Sequence, residues 1–334
     1  MKDLYVIGNG FDIHHGIPSS YKAFRRWLED NDPELLSRMD EVLGLCTEEW
    51  WNEFETNLGE AYAVKDYTEE VAFENQPNLA SDDFRSPDWD NARYEIENKF
   101  GGLISVLKED FQLWASQFPP SDDGEVVLVN RENAFFLTFN YSMTLEQLYG
   151  IPPAQILHIH GSALDKDSIV VGHGRSYVDI RNKLDDPLPD SPDTVPAEEI
   201  EKWLEEAAAE NADDFSTQQA KDAAASALYD IHKDVEGIIA THSDFFNSLN
   251  DVERIHVYGL SFAETDLPYL RAIFNSINPS NVDLEISWYS DKDGARIDSF
   301  ISTVAKPKSL RLIHLCDIRR YYPGSLFDGN HYLP

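Results

Sequence analysis

The chain has 334 residues, 42% hydrophobic and 12% aromatic, enough for one large domain with insertions or for two domains with a sizeable core. Sixty-one acids against twenty-seven bases give a net charge of −34, a field that repels nucleic acid and anionic membranes and makes direct nucleic-acid binding a poor expectation. There is no apolar run long enough to span a bilayer, and the two cysteines, Cys46 and Cys316, cannot build a zinc ribbon or a disulfide framework.

The N-terminus carries Asp3 in a strand pattern, not the basic and apolar pattern of a signal peptide. A cytoplasmic protein is expected, with both thiols as buried filler. The first strand is expected over 4–8. It runs into Gly8-Asn9-Gly10, where glycines permit a tight turn and close backbone approach to an anion. Asp12, His14 and His15 follow before Gly16-Ile17-Pro18. Ile13 stands where the dinucleotide fingerprint needs its third glycine, which disfavours an ordinary hydride-transfer dehydrogenase.

Further strands are expected over 134–140, 155–161, 168–172, 254–260, 282–289 and 309–316. Most are continuous apolar runs, the pattern of strands covered on both faces of a parallel sheet. Helical stripes lie between them: Tyr21 to Leu28, Phe100 to Trp114, Ile200 to Ala207, and a long one from Ala220 to Ile239. The fold class is therefore α/β, with a mostly parallel sheet. Segments 1–30, 131–180 and 251–334 form its core. Segments 31–130 and 181–250 read as helical insertions. The second insertion opens with a Pro- and Asp-rich connector, and from Asp185 to Asp214 it holds twelve acids against one base, Lys202. It reads as a solvated layer, a lid or a docking surface.

Chemistry gathers where strands end, because the carboxyl edge of an α/β sheet lines the ligand crevice. Asn140, after Thr138, is placed there to hold a sugar hydroxyl or water, or to start a helix. His158 and His160 share a face if the strand continues through both. They read as a metal pair with no clear third ligand, as a general base at His160, or as structural histidines. His173 and Arg175 follow at the same edge. Ser261, just past Gly259, offers a hydroxyl for a phosphate or for a helix cap.

The combination of these segments, in this order, resembles the sirtuin pattern. "GNGFDIHHGIP", "TFNYSMTLEQLYG", "HIHGS" and "YGLSF" are similar to its Gly-x-Gly with Gly-Ile-Pro, its Thr-x-Asn-x-Asp, its His-Gly and its Gly-x-Ser elements. More narrowly, "LYVIGNGFDIHHGIPSSYKAF", "FLTFNYSMTLEQLY", "HIHG", "VVGHG" and "GLSFAETDLPY" resemble the bacteriophage abortive-infection AbiH family. The resemblance implies a Rossmann-like, sirtuin-like core with NAD as substrate or ligand, and no metal. It matches Gly8, Asn9 and Gly10 to the phosphate loop, Asn140 to the ribose- and water-positioning residue, His160 to the catalytic histidine and Ser261 to a nucleotide-binding serine. It places Phe11, Pro18, Thr138, Tyr141, Gly161 and Gly259 around the nucleotide. Asp12 departs from the pattern, which has a small hydroxyl residue there; ionised, it would stabilise the developing positive charge of the ribose.

Ser142 stands where the pattern has aspartate, and the zinc-ribbon cysteines are missing, which argues against protein deacylation. The expected activity is NAD glycohydrolysis in antiphage defence, with a phage-derived trigger, a partner defence protein or a second copy of the chain as interactors. A non-catalytic nucleotide sensor is the alternative reading. A metal-dependent nuclease or phosphohydrolase built on His158 and His160 is a third.

Overall fold

The computed structural model describes residues 1–44, 47–60, 62–119, 126–127, 129–165, 169–185, 200, 202–203, 214–304, 307–318 and 320–321. The chain divides into two compact units. The first comprises Met1–Trp27, Glu109–Val171 and Lys233–Pro334; the second comprises Leu28–Lys108 and Gly172–His232.

The first unit is a six-stranded sheet, parallel at every pairing. Its strands in chain order are β1 (Asp3–Ile7), β2 (Ala134–Thr138), β3 (Ile156–His158), β4 (Arg254–Tyr258), β5 (Asp283–Ser287) and β6 (Ser309–Ile313). Across the sheet they lie β3-β2-β1-β4-β5-β6. Every residue of β1 is buried, because it is flanked by β2 and β4 and covered on both faces. Leu4, Val6, Leu137, Val257 and Ile286 pack on one side with Leu270, Ile273 and Phe300 from helices Leu267–Asn275 and Asp291–Val304. Tyr5, Ile7, Phe136 and Tyr258 pack on the other with Phe11, Leu145 and Tyr149. Buried Asp3 ties the amino ends of β1 and β4 together by accepting from the Arg254 guanidinium at 3.0 Å. Val126–Val127 pairs antiparallel with Arg320–Tyr321 as a separate short ladder.

The second unit is helical. Helix Phe215–Tyr229 lies against helices Tyr62–Glu74, Asn91–Phe100 and Tyr177–Leu184. Its buried stripe of Ala220, Ala224, Ala225 and Leu228 carries little side-chain bulk, which lets the neighbours come close. Lys221 is only 1% exposed there, with Glu69 and Asp185 carboxylates at 3.7 and 3.8 Å.

Several expectations are corrected. The strands stop one to three residues short of the carboxyl ends read from sequence, with Gly8, Asn140, Gly161 and Gly259 falling in the turns beyond them. The strand expected over 168–172 does not form in its described part; Val170 N–H donates to the His160 carbonyl instead. The long helix expected over 220–239 is two helices, Phe215–Tyr229 and Val235–Thr241. The break falls where Asp234 caps the second, its carboxylate accepting from Gly237 N–H. Cys316 is exposed, not buried filler. Cys46, the connector 186–199 and most of the stripe around Leu204 lie outside the described residues. Among the described residues no helix is long and apolar enough to cross a membrane.

Candidate functional site

The turn after β1 is fixed by contact between backbones. Gly8 N–H donates to the Tyr258 carbonyl at 2.9 Å and Gly10 N–H to the Gly259 carbonyl at 2.8 Å. A Cβ on Gly8 would stand 2.6 Å from Leu260 Cα, and one on Gly10 would stand 3.0 Å from Gly259 Cα. The two glycines are thus required by the turn after β4, and both N–H groups are committed within the protein. The side chain of Asn9, between them, accepts from the Ser19 hydroxyl. Beyond Gly259, Ser261 is exposed, and its carbonyl accepts from Arg296 at 3.4 Å. Phe262 is held at a φ of 53°, a conformation rare for a bulky side chain.

Asp12 sits on the short helix Asn9–His14, 1% exposed. Its Oδ1 accepts from Thr144 Oγ1 at 2.8 Å, and Thr144 Oγ1 lies 2.9 Å from Ser142 Oγ. Burial raises its pKa, opposed by the nearby Ser142, Thr144 and Asn140 side chains and by the charge of His158. Burial therefore shifts Asp12 toward the neutral acid, against the ionised carboxylate expected from the sequence.

Asn140 lies two residues past β2. Its Nδ2 donates to the Gly8 carbonyl at 3.1 Å, and its own N–H donates to Thr138 Oγ1 at 3.1 Å. His158 ends β3 and is held by two acceptors, Glu146 Oε1 at 2.8 Å and the Asn140 carbonyl at 3.3 Å. His160 falls in the turn beyond, so the two histidines do not share a strand face. His160 is 3% exposed among the rings of Phe139, Tyr141 and Tyr269, with centroids 5.1, 6.4 and 5.4 Å away. Burial holds its imidazole well below the usual histidine range, the charge of Lys233 pushes the same way, and a backbone hydrogen bond at Phe139 opposes them. It is a neutral imidazole at ordinary pH.

Among the described residues, the buried side-chain atoms with no hydrogen-bond partner include Asp12 Oδ2, Asn140 Oδ1 and His160 Nε2 at this edge, with Glu146 Oε2 beside them. Buried polar atoms are nearly always paired, so orphans gathered at the ends of adjacent strands mark a place built to receive polar groups. Among the described residues no three His, Cys, Asp or Glu side chains gather to hold a metal.

The remaining expected residues divide. Phe11 is wholly buried against His15 and Tyr149, a core position. Tyr141 O–H donates to the Val170 carbonyl at 2.9 Å, and Gly161 takes a φ of 78° just past His160. Pro18 is exposed. Thr144 and Ser287 were not legible as site residues. Ser287 Oγ accepts from Gly259 N–H at 2.8 Å, joining residues distant in sequence.

The family model described as bacteriophage abortive infection AbiH matches residues 4–288. The chain belongs to the AbiH family. The matched stretch includes every AbiH residue placed above at the sheet edge, from Gly8 to Ser287. No curated protein and no solved structure matches this AbiH chain.

Proposed function

We propose that this AbiH chain is a nucleotide N-glycosidase that acts in antiphage abortive-infection defence, with NAD as its first substrate. The observation that carries the reading is the trio of unpartnered buried atoms on Asp12, Asn140 and His160. The strand order β3-β2-β1-β4-β5-β6, with all six parallel, supports a Rossmann-like, sirtuin-like core. It is the order of the doubly wound dinucleotide-binding sheet, whose ligands lie beyond the carboxyl ends of the strands.

In this reaction water adds to the ribose C1′ while the C1′–N bond breaks, and its electron pair leaves with neutral nicotinamide. Asn140 Oδ1 accepts from a ribose hydroxyl or from the water. His160 Nε2, bare and neutral, accepts the proton that the water loses. ADP-ribose and nicotinamide are the products. No acid is needed at the leaving group in the NAD reaction.

Purified protein incubated with NAD, with nicotinamide and ADP-ribose quantified by mass spectrometry, tests the reading. Release of both is expected. Measurable NAD binding without product, under every activating condition tried, would overturn the hydrolase.

A second reading, a nucleotide sensor, draws on the same histidine. An imidazole 3% exposed and held well below its ordinary range is a weak base. Under this reading His160→Gln retains both NAD binding and phage protection; a hydrolase retains binding and loses protection.

A further inference from the structure

Asp12, Thr144 and Ser142 make a continuous chain of oxygens, with gaps of 2.8 and 2.9 Å. All three residues are more than nine-tenths buried, at 1%, 6% and 6% exposure. The chain is not explained by capping: helix Thr144–Gln147 has no side-chain hydrogen bond at its N-cap. Its inner end carries the unpartnered Asp12 Oδ2. Its outer end opens on a cleft of about 150 Å³, whose walls include Ser142 and Thr144 with Ile17, Phe118, Met143 and Gln147.

We propose that Asp12, Thr144 and Ser142 are a proton relay from a buried acid to the leaving base of an N-glycoside held in this cleft, which extends the substrate class from NAD to purine nucleotides. The proposal rests on the reading of the site as an N-glycosidase. A pyridinium base departs neutral and needs no proton. A purine departs as an anion unless a ring nitrogen is protonated, so a relay of this kind has a use only with such a base.

The step balances. Thr144 Oγ1 donates to Asp12 Oδ1 across 2.8 Å in the resting site; once Oδ1 is protonated the bond reverses, and Asp12 donates to Thr144 Oγ1. Thr144 passes its own proton to Ser142, and Ser142 passes its proton to the base. The C1′–N bond breaks with its electron pair on that nitrogen. Water bonds to C1′ and gives a proton to His160 Nε2. Solvent then reprotonates Asp12 and discharges His160. Burial, which raises the Asp12 pKa, favours the protonated donor. The groups facing Asp12 are the Ser142, Thr144 and Asn140 side chains, His158 with its partner Glu146, and Tyr149.

The full chain is incubated separately with NAD, AMP and GMP over a pH series, with free nicotinamide, adenine and guanine quantified. Purine release by the wild type is expected, falling as pH rises through the Asp12 titration. Thr144→Val should lower the ratio of purine release to NAD cleavage by about 100-fold, and Thr144→Ser should restore most of it. Asp12→Asn, which has no acid proton to pass on, should lower the same ratio as far as Thr144→Val does and remove its pH dependence, which keeps the proposal testable if Thr144→Val fails to fold. NAD cleavage with neither AMP nor GMP cut overturns the relay and leaves the NAD hydrolase standing. Purine release without NAD cleavage does the reverse. Cleavage of none of the three overturns both. An unchanged ratio and pH profile in folded Thr144→Val also overturns the relay.

Discussion

The imidazole of His15 and the phenol of Tyr149 meet at 2.7 Å in the core of the first unit. His15 Nδ1 lies 2.7 Å from the Phe11 carbonyl, which can only accept, so Nδ1 carries the ring proton. Nε2 is then bare and accepts from the Tyr149 hydroxyl, whose oxygen in turn accepts from Val127 N–H at 2.9 Å. Burial lowers the His15 pKa to about 4, against the Phe11 hydrogen bond that favours charge. His15, one of the crowded residues of the opening loop, is thus structural.

This bond gives a pH dependence with a definite sign. The unfolded imidazole titrates near 6.5 and the folded one near 4, so between those values the unfolded chain binds a proton that the folded chain refuses. Stability is full above pH 6.5 and is lost as pH falls toward 4, by roughly 3 kcal/mol from this group. Denaturant titrations across that window should give a steeper acid loss for wild type than for His15→Gln. Parallel curves would contradict the assignment.

Asp12 has the opposite chemistry and the opposite slope. Its folded pKa is raised above the ordinary aspartate value of 3.8, so the folded state binds the extra proton in the window above 3.8. Its contribution is full below 3.8 and is lost as pH rises through the folded pKa. Relative to Asp12→Asn, wild type should lose melting temperature as pH climbs through that window. A constant difference would place Asp12 in a more solvated setting.

His160→Gln should lower NAD turnover by roughly 100- to 10,000-fold with the fold intact. Because the folded imidazole titrates well below 6.5, wild-type turnover should not begin its acid decline at the ordinary histidine pKa. A half-maximal rate near pH 6.5 in steady-state kinetics would point to another base.

Two glycines with similar angles separate backbone strain from collision. Gly16 has φ +77° and nothing within 4 Å of the point where a Cβ would stand, so Gly16→Ala should cost about 1–2 kcal/mol from conformation alone. Gly259 has φ +68°, and its Cβ would fall 2.1 Å from Phe11 N. Gly259→Ala should cost on the order of 3–5 kcal/mol, strain and overpacking together. Chemical denaturation of both variants checks the ranking.

What was legible in the sequence follows from what is local. Continuous apolar runs around Leu4–Ile7, Phe136–Thr138 and Ile255–Tyr258 report burial on both faces, so the parallel sheet could be read from them. The residues after each strand, Gly8, Asn140 and Gly259, were legible as turn chemistry. The hydrogen-bonded network was not. Thr144 finds Asp12 across 132 positions, and His15 finds Tyr149 across 134. A hydroxyl beside a helix start has the same local signature whether it caps the helix or faces a buried acid. His158 and His160 misled because an alternating pair implies a strand, and the strand ends between them.

The interlock of Gly8 and Gly10 with Gly259 sets a limit on how the gene can be divided. A fragment ending before residue 254 would carry Asp12, Asn140 and His160, yet it would lack the carbonyl that receives Gly10 N–H and the Leu260 backbone against which Gly8 is wedged. Split-protein reporters or truncations cut there should keep the polar side chains and lose the posture of the opening loop. Supplying residues 254–262 in trans, on a piece able to pair with β1, is the minimum that could restore it.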